Sequence, residues 1–580
     1  MLVKIFLYGA LALTRAVRAQ DLPKLRLPWG TWEAQQYEPD PNIYLFKNVR
    51  FGAQPRRFSA PSSPDWEDDA LQRENRSITC NQIKIKKLEH PPGGRNPLAA
   101  PDETTHVETE DCLLLDIYVP VKAFLPDAEP LPVIIWVYGG GFAFGSKEQG
   151  GVLYTGRSML SASNYTAIFV AGNYRLGAYG WLAGNYMQDA GTPNAGLHDQ
   201  ALLFEWVRDH IHKVKGNKDK VGAWGLSAGG SSILHHLVRE DGAHDPLFRS
   251  FAAFSPGFEW AWDNTDDGKL DTMYRTFSDL ADCGFDYDIE CLRRAPPEAL
   301  AEANQKLFEK VIERGLFPVG PAVDGKWIKT MPSLALGQGS YWKGIDSAIV
   351  SHVMNESGPF VPKEVVDRES FDRYLAEFLP GEALEPQRSR IKGEYDCEAR
   401  FNGDFRACAG AIIEHLVITC NTRYLADAYP GKTYAMQYAF PLDEVASHGA
   451  DLIPLFTNDF EEAKSFLLAL DLPGMTEEMA ALYAGWLTNA VTSTYQGYYA
   501  SFGVSGDPNT LLESPPLEWS PVNGSDDALS RVLRVQLGGT PEDSFHHVSD
   551  ERNTKKICSF WKEIAESIAA SAGDQTRGEL

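Results

Sequence analysis

A serine with glycine two residues away on either side, Gly225-Leu226-Ser227-Ala228-Gly229, stands between an apolar run, Val221 to Trp224, and a helix-compatible stretch, Ser231 to Val238. This order predicts a strand, a sharp turn and a helix, with Ser227 at the apex. A hydroxyl is a poor nucleophile until a base takes its proton, and a tight turn holds the oxygen where a base and a carbonyl carbon can both reach it. Glycine suits positions 225 and 229 because a Cβ there would collide with the neighbouring strand and helix. The N–H of Ala228, at the helix start, can point at an oxygen on which negative charge develops. The chemistry implied is attack on a carbonyl group. A glycine- and serine-rich loop could match the same pattern by accident, but the strand before it and the helix after it favour the nucleophile.

A second glycine cluster supports the same chemistry. Pro132 to Tyr138 reads as a fully buried parallel strand and runs straight into Gly139-Gly140-Gly141-Phe142. Three glycines after a buried strand let backbone approach a ligand and supply further N–H donors to an oxyanion. No Lys-Ser/Thr pair follows, which argues against a phosphate-binding loop.

These loops need a frame. Strand candidates include Leu114 to Val119, Ala167 to Gly172 and Phe251 to Phe254; helix candidates include Ala201 to Val214, Glu461 to Leu470 and Glu477 to Tyr495. They alternate along the whole chain, and 580 residues with 43% apolar content can bury a large core. The expectation is one large α/β domain over residues 20–580 without internal repeats.

Five segments in order resemble the type-B carboxylesterase family, which includes cholinesterases, fungal lipases and the catalytically inactive neuroligins. They are Glu110-Asp111-Cys112-Leu113-Leu114-Leu115-Asp116-Ile117-Tyr118, the Trp136 to Phe142 glycine strand, Asn173-Tyr174-Arg175-Leu176-Gly177, Gly196-Leu197-His198-Asp199-Gln200 and the serine turn. The similarity runs from about Arg50 to Lys562 and is closest in character to secreted fungal carboxylesterases and lipases. It implies the α/β-hydrolase fold: a large, mostly parallel sheet flanked by helices, with helical and loop insertions over the active site.

The fold orders its triad serine, acid, histidine. Among 13 histidines, His448 stands in Ser447-His448-Gly449-Ala450-Asp451-Leu452, a loop after the strand-like run Tyr434 to Phe440, and is similar to the family's His-Gly-x-Asp/Glu-Leu motif. The acid belongs at the carboxyl end of a strand. Ala348 to Met354 is followed by Asn355-Glu356-Ser357, similar to the family's Asp-Glu-Gly, so Glu356 is the expected orienting acid. Its rival, Asp324 in Val323-Asp324-Gly325, reads as a turn. The resemblance further implies an oxyanion hole from the backbone of Gly140, Gly141 and Ala228, and a buried serine near the triad at Ser255. Two structural ion pairs also carry over: Arg57 with Glu110, and Arg175 with Asp199.

Lys4, the apolar stretch Ile5 to Leu13 and Val17-Arg18-Ala19 read as a secretory signal over residues 1–19, too short to span a bilayer. A net charge of −25 argues against nucleic acid or an anionic membrane as partner. No apolar C-terminal tail suggests a lipid anchor. Sequons at Asn75, Asn164 and Asn523 suit a secreted, extracellular glycoprotein; the one at Asn355 is expected to be buried and unused. Eight cysteines behind a signal peptide point to disulfides, though spacing leaves the pairing open. The resemblance implies Cys80 with Cys112, Cys283 with Cys291, and Cys420 with Cys558, leaving Cys397 with Cys408. No Cys-x-x-Cys pair or His/Cys cluster supports a metal site, and no cofactor is expected.

In cholinesterases a glutamate precedes the nucleophile, and a tryptophan in the first disulfide loop holds the quaternary ammonium. Here Leu226 replaces the glutamate, and no aromatic residue lies between Cys80 and Cys112, which argues against choline esters. Phe142, Phe144, Phe258 and Trp260 are candidate walls of an apolar acyl pocket, with core packing as their alternative role. The reading is a serine hydrolase of neutral carboxylic esters, with a triacylglycerol lipase or a secondary-metabolite esterase as alternatives. A neuroligin-like binding protein ranks lower, because all three triad residues are present.

Overall fold

The computed structural model describes residues 22–84, 106–148, 154–257, 268–309, 317–469 and 475–575. Its centre is an eleven-stranded sheet. In chain order the strands are β1 (Gln35–Gln36), β2 (Ile43–Arg50), β3 (Leu114–Pro120), β4 (Leu131–Val137), β5 (Ile168–Gly172), β6 (Gly216–Leu226), β7 (Ser250–Phe254), β8 (Ser347–Val353), β9 (Thr433–Tyr438), β10 (Leu529–Val535) and β11 (Phe545–Asp550). Across the sheet they lie in the order β11-β10-β9-β8-β7-β6-β4-β5-β3-β2-β1.

The run from β5 through β4, β6, β7, β8 and β9 to β10 is parallel. Antiparallel strands close both flanks. The parallel strands read as near-continuous apolar stretches because helices cover both faces of such sheets. β7 is buried after its first residue and β8 throughout. Parallel strands also send all their carboxyl ends to one edge, which is where the loops after β4, β6, β8 and β9 meet.

Most elements match the sequence expectations within a few residues; the helix expected over Ala201 to Val214 starts at Ala195 and tightens into a 3-10 turn at Ile211–Val214, and one further helix is corrected. The helix expected over Glu477 to Tyr495 is interrupted by a π-turn, Leu487–Val491, and then continues over Thr492–Ser505. Thr488 Oγ1 donates to the Ala484 carbonyl at 2.8 Å and approaches that of Gly485 at 3.3 Å, competing with the regular backbone ladder.

All four disulfides pair as expected. Cys420–Cys558 joins the helix Cys420–Ala428 to the C-terminal helix Lys555–Gln575, within a satellite core around Tyr395, Trp561 and Ile564. The Arg57–Glu110 pair, at 2.6 Å, and the Arg175–Asp199 pair, at 2.7 Å, also form. Arg57 additionally donates to the carbonyls of Arg293 and Ala295, so it ties the N-terminal region to the segment after the Cys283–Cys291 loop.

Candidate active site

Ser227 sits between β6 and α1 (Ala228–Leu237) with φ 57° and ψ −122°. A residue with a side chain holds such a conformation only where its surroundings impose it, at a cost of about 1–3 kcal/mol. Here the Ser227 N–H donates to the Phe254 carbonyl at 2.9 Å, and its own carbonyl accepts from the Ser231 N–H at 2.8 Å. The glycine requirement is steric, as the sequence implied. A Cβ on Gly225 would stand 2.6 Å from the Gly229 carbonyl carbon and 2.8 Å from the Val137 oxygen, and one on Gly229 would overlap Val137. As the first residue of the helix, Ala228 has an N–H with no intrahelical acceptor.

The loop after β4 lies against this turn. A Cβ on Gly139 would be 2.7 Å from the Leu226 oxygen and 3.1 Å from the Ser227 Cβ. Gly140 (φ 99°) and Gly141 (φ 58°) occupy the left-handed region, and the Gly140 carbonyl accepts from Ala143 and Phe144 at 3.0 and 3.2 Å. The ring of Phe317 packs so closely on Gly141 that any Cβ there would overlap it. Past the loop, the fully buried Lys147 ammonium donates to Asp116 at 2.6 Å and to Glu148 at 3.1 Å, anchoring the descending chain to β3.

Acid and base arrive on neighbouring loops. The Asn355 N–H donates to the Ala446 carbonyl at 2.9 Å, and Asn355 forms an isolated parallel bridge with Ser447. Glu356 is fully buried: its Oε1 accepts from the Val353 N–H at 2.8 Å, and its Oε2 accepts from His448 Nδ1 at 2.6 Å. With the proton on Nδ1, the Nε2 of a neutral imidazole carries the lone pair. That Nε2 is buried and has no hydrogen-bond partner among the described residues. Leu226, next to Ser227, reaches within 3.5 Å of where a Cβ on Gly449, next to His448, would stand, so the nucleophile turn and the histidine loop touch. The ring of Phe360 packs edge-on against His448, with centroids 5.1 Å apart.

A second carboxylate lies behind this pair. Asp451, fully buried, accepts from Ser351 Oγ at 3.2 Å. Burial pushes its carboxyl up to about 7, and the Glu356 charge adds to the shift while His448 opposes it. Ser255 is also buried, with its Oγ unpaired among the described residues and its N–H on the Ser351 carbonyl at 2.8 Å. Asp324 does what its Asp-Gly pair suggested: its Oδ1 accepts from the N–H groups of Lys326 and Ile328, closing a turn.

The carboxylesterase family model matches residues 22–561. The chain belongs to the carboxylesterase family. It is 33% identical over 586 residues to a secreted lipase of Arthroderma benhamiae, covering 99% of both chains. It is 29% identical to carboxylesterase patB of Penicillium expansum, covering 76% of this chain and 84% of that protein. The crystal structure of Aspergillus niger EstA superposes with a TM-score of 0.73 at 21% identity, covering 94% of this chain and 99% of that one, a likeness of fold. The chain is therefore a hydrolase of the esterase/lipase type with the α/β-hydrolase architecture.

Within this carboxylesterase-family chain, the structure brings Ser227, Gly140, Gly141, Ala228, Glu356, His448 and Ser255 to one edge of the sheet. Phe142 is fully buried, its ring 4.3 Å from that of Trp181 by centroids, a placement that matches the core-packing alternative. Phe144 stays half-buried beside the loop, whereas Phe258 and Trp260 lie outside the described residues, as do the signal segment and most of the Cys80–Cys112 loop. Asn355 is half-buried rather than buried, with its side-chain amide donating to the Glu444 carbonyl at 2.6 Å. Sequence reasoning missed Phe317, Phe360 and the role of Asp451. Only Asp451 carried a local signal, its place in the histidine motif. None of the described helices is long and apolar enough to cross a membrane.

Proposed function

We propose that the protein is a secreted serine hydrolase that cleaves neutral carboxylic esters through an acyl-serine intermediate. The observation that carries this reading is the 2.6 Å Glu356–His448 pair delivered against the strained Ser227 turn. Ser227 Oγ attacks the ester carbonyl carbon while His448 Nε2 takes its proton, and Glu356 stabilises the resulting imidazolium without taking the proton itself. The N–H groups of Gly140, Gly141 and Ala228 receive the oxyanion. The tetrahedral intermediate collapses, His448 protonates the departing alkoxide, and water repeats the sequence on the acyl-enzyme. Side chains and water complete the cycle.

Leu226 and the aromatic-free loop disfavour a cationic alcohol, so the substrate is a neutral aryl or alkyl ester. The full-length likeness to a secreted lipase supports acceptance of longer acyl chains. Asn75, Asn164 and Asn523 are all exposed, which supports glycosylation in the secretory route. The test is a kinetic comparison of monomeric and emulsified esters of increasing acyl length against acetylcholine. Neutral esters should show a kcat/KM at least about tenfold higher, a gap of roughly 1.4 kcal/mol. Preference for acetylcholine, or no hydrolysis of any neutral ester, would overturn the reading.

A further inference from the structure

Behind the Glu356–His448 pair lies a second buried imidazole–carboxylate pair. His352 stands one residue before the end of β8, and its Nε2 is 2.7 Å from Asp550 Oδ2 at the end of β11. Its Nδ1 is 3.0 Å from the Val353 carbonyl. Both side chains are buried. A carbonyl and a carboxylate oxygen can only accept, so each ring nitrogen must donate, and a ring that donates twice is an imidazolium.

Asp550 is itself held: its Oδ1 accepts from the Arg552 N–H at 3.0 Å and from Gln437 Nε2 on β9 at 3.2 Å. The other charged or titratable groups acting around His352 are Glu356, Glu414, His415 and Arg552. Glu414 accepts from Arg552 at 3.1 Å. Burial pushes the His352 imidazole down, but the Asp550 charge and hydrogen bond, with smaller help from the Val353 carbonyl and Glu356, outweigh it and raise the group to about 9.

The contacts form one chain. Asp550 accepts from His352, His352 donates to the Val353 carbonyl, the Val353 N–H donates to Glu356 Oε1, and Glu356 Oε2 accepts from His448. We infer that His352, held as a buried cation by Asp550, is a positioning residue that seats the end of β8 under Glu356 and so fixes the place of the Glu356–His448 pair. This rests on the triad reading above. The pair acts through Glu356 and touches no substrate.

The test compares wild type with His352→Gln and with His352→Gln/Asp550→Asn, in which neutral hydrogen-bonding groups replace both charges and no buried charge is left unpaired. Both variants should show a kcat about tenfold lower and a KM within about twofold; in His352→Gln, which removes the cation and leaves the Asp550 carboxylate, the acid limb of the pH–rate profile should also move up by about half a unit. Wild-type kcat in the double variant would overturn the inference. So would a loss of kcat in His352→Gln with the acid limb unmoved, which marks a merely structural role.

Independently of folding in the variants, 15N-histidine labelling of the wild-type protein should show a ring doubly protonated at pH 8. Its absence would overturn the inference even if the triad reading stands. Failure of the triad reading would instead show as full activity in Ser227→Ala.

Discussion

His448 and Glu356 are separated by 92 positions in the chain, yet His448 Nδ1 and Glu356 Oε2 stand 2.6 Å apart, because the loops after β8 and β9 are bridged at Asn355 and Ser447. Glu356→Gln keeps a side chain of the same length but removes the charge and unsettles the tautomer. Steady-state kinetics should show kcat lowered by about 10^3- to 10^4-fold with little change in KM. A loss of less than about threefold would remove Glu356 from the mechanism.

Gly141 tests the oxyanion loop. Alanine there meets both a φ of 58° and the Phe317 ring. Gly141→Ala should lower kcat by about 10^2- to 10^3-fold, in the range of losing one oxyanion donor. Gly141→Ala/Phe317→Ala, with the ring removed, should recover part of the loss. No recovery would mean that backbone conformation alone, and not the ring, sets the loop.

Asp451 links stability to pH. Its carboxyl is raised to about 7, above the ordinary aspartate value of about 3.9, so the folded state favours the protonated form. The associated stability is fully present below about pH 4 and is lost as pH rises through about 7. Asp451→Asn cannot ionise, so its stability relative to wild type should increase from pH 5 to pH 9, by on the order of 2 kcal/mol. Denaturant unfolding at the two pH values measures it. Parallel curves for the two proteins would contradict the shift.

The Cys420–Cys558 bridge spans 138 residues and ties the C-terminal helix to the helix at Cys420–Ala428. Cys420→Ser/Cys558→Ser should destabilise the protein by about 2–5 kcal/mol, mainly by freeing the unfolded chain. An unchanged unfolding midpoint would show that the bridge constrains nothing the rest of the fold does not already hold.

The parts legible in the sequence are those whose constraint is local. Gly225, Ser227 and Gly229 advertise the turn because a strand and a helix must pass within van der Waals contact there, and Glu356 and His448 lie in short loops at strand ends. Phe142 left two roles open because its residue type suits a pocket wall and a core equally; in the fold its ring packs against Trp181. Phe317 reaches Gly141 across 176 positions, and His352 meets Asp550 across 198, so nothing in the neighbourhood of either residue announces the contact. The π-turn at Leu487–Val491 escaped for a different reason: the apolar pattern runs through it unbroken.

The central claim is that Ser227 is the nucleophile, activated by His448. Incubation of the mature protein with a fluorophosphonate, followed by peptide mass spectrometry, tests it most directly. The account predicts one adduct on the peptide carrying Ser227, loss of esterase activity in step with labelling, and neither labelling nor appreciable turnover in Ser227→Ala. An adduct on another serine, or normal ester hydrolysis by Ser227→Ala, would contradict it.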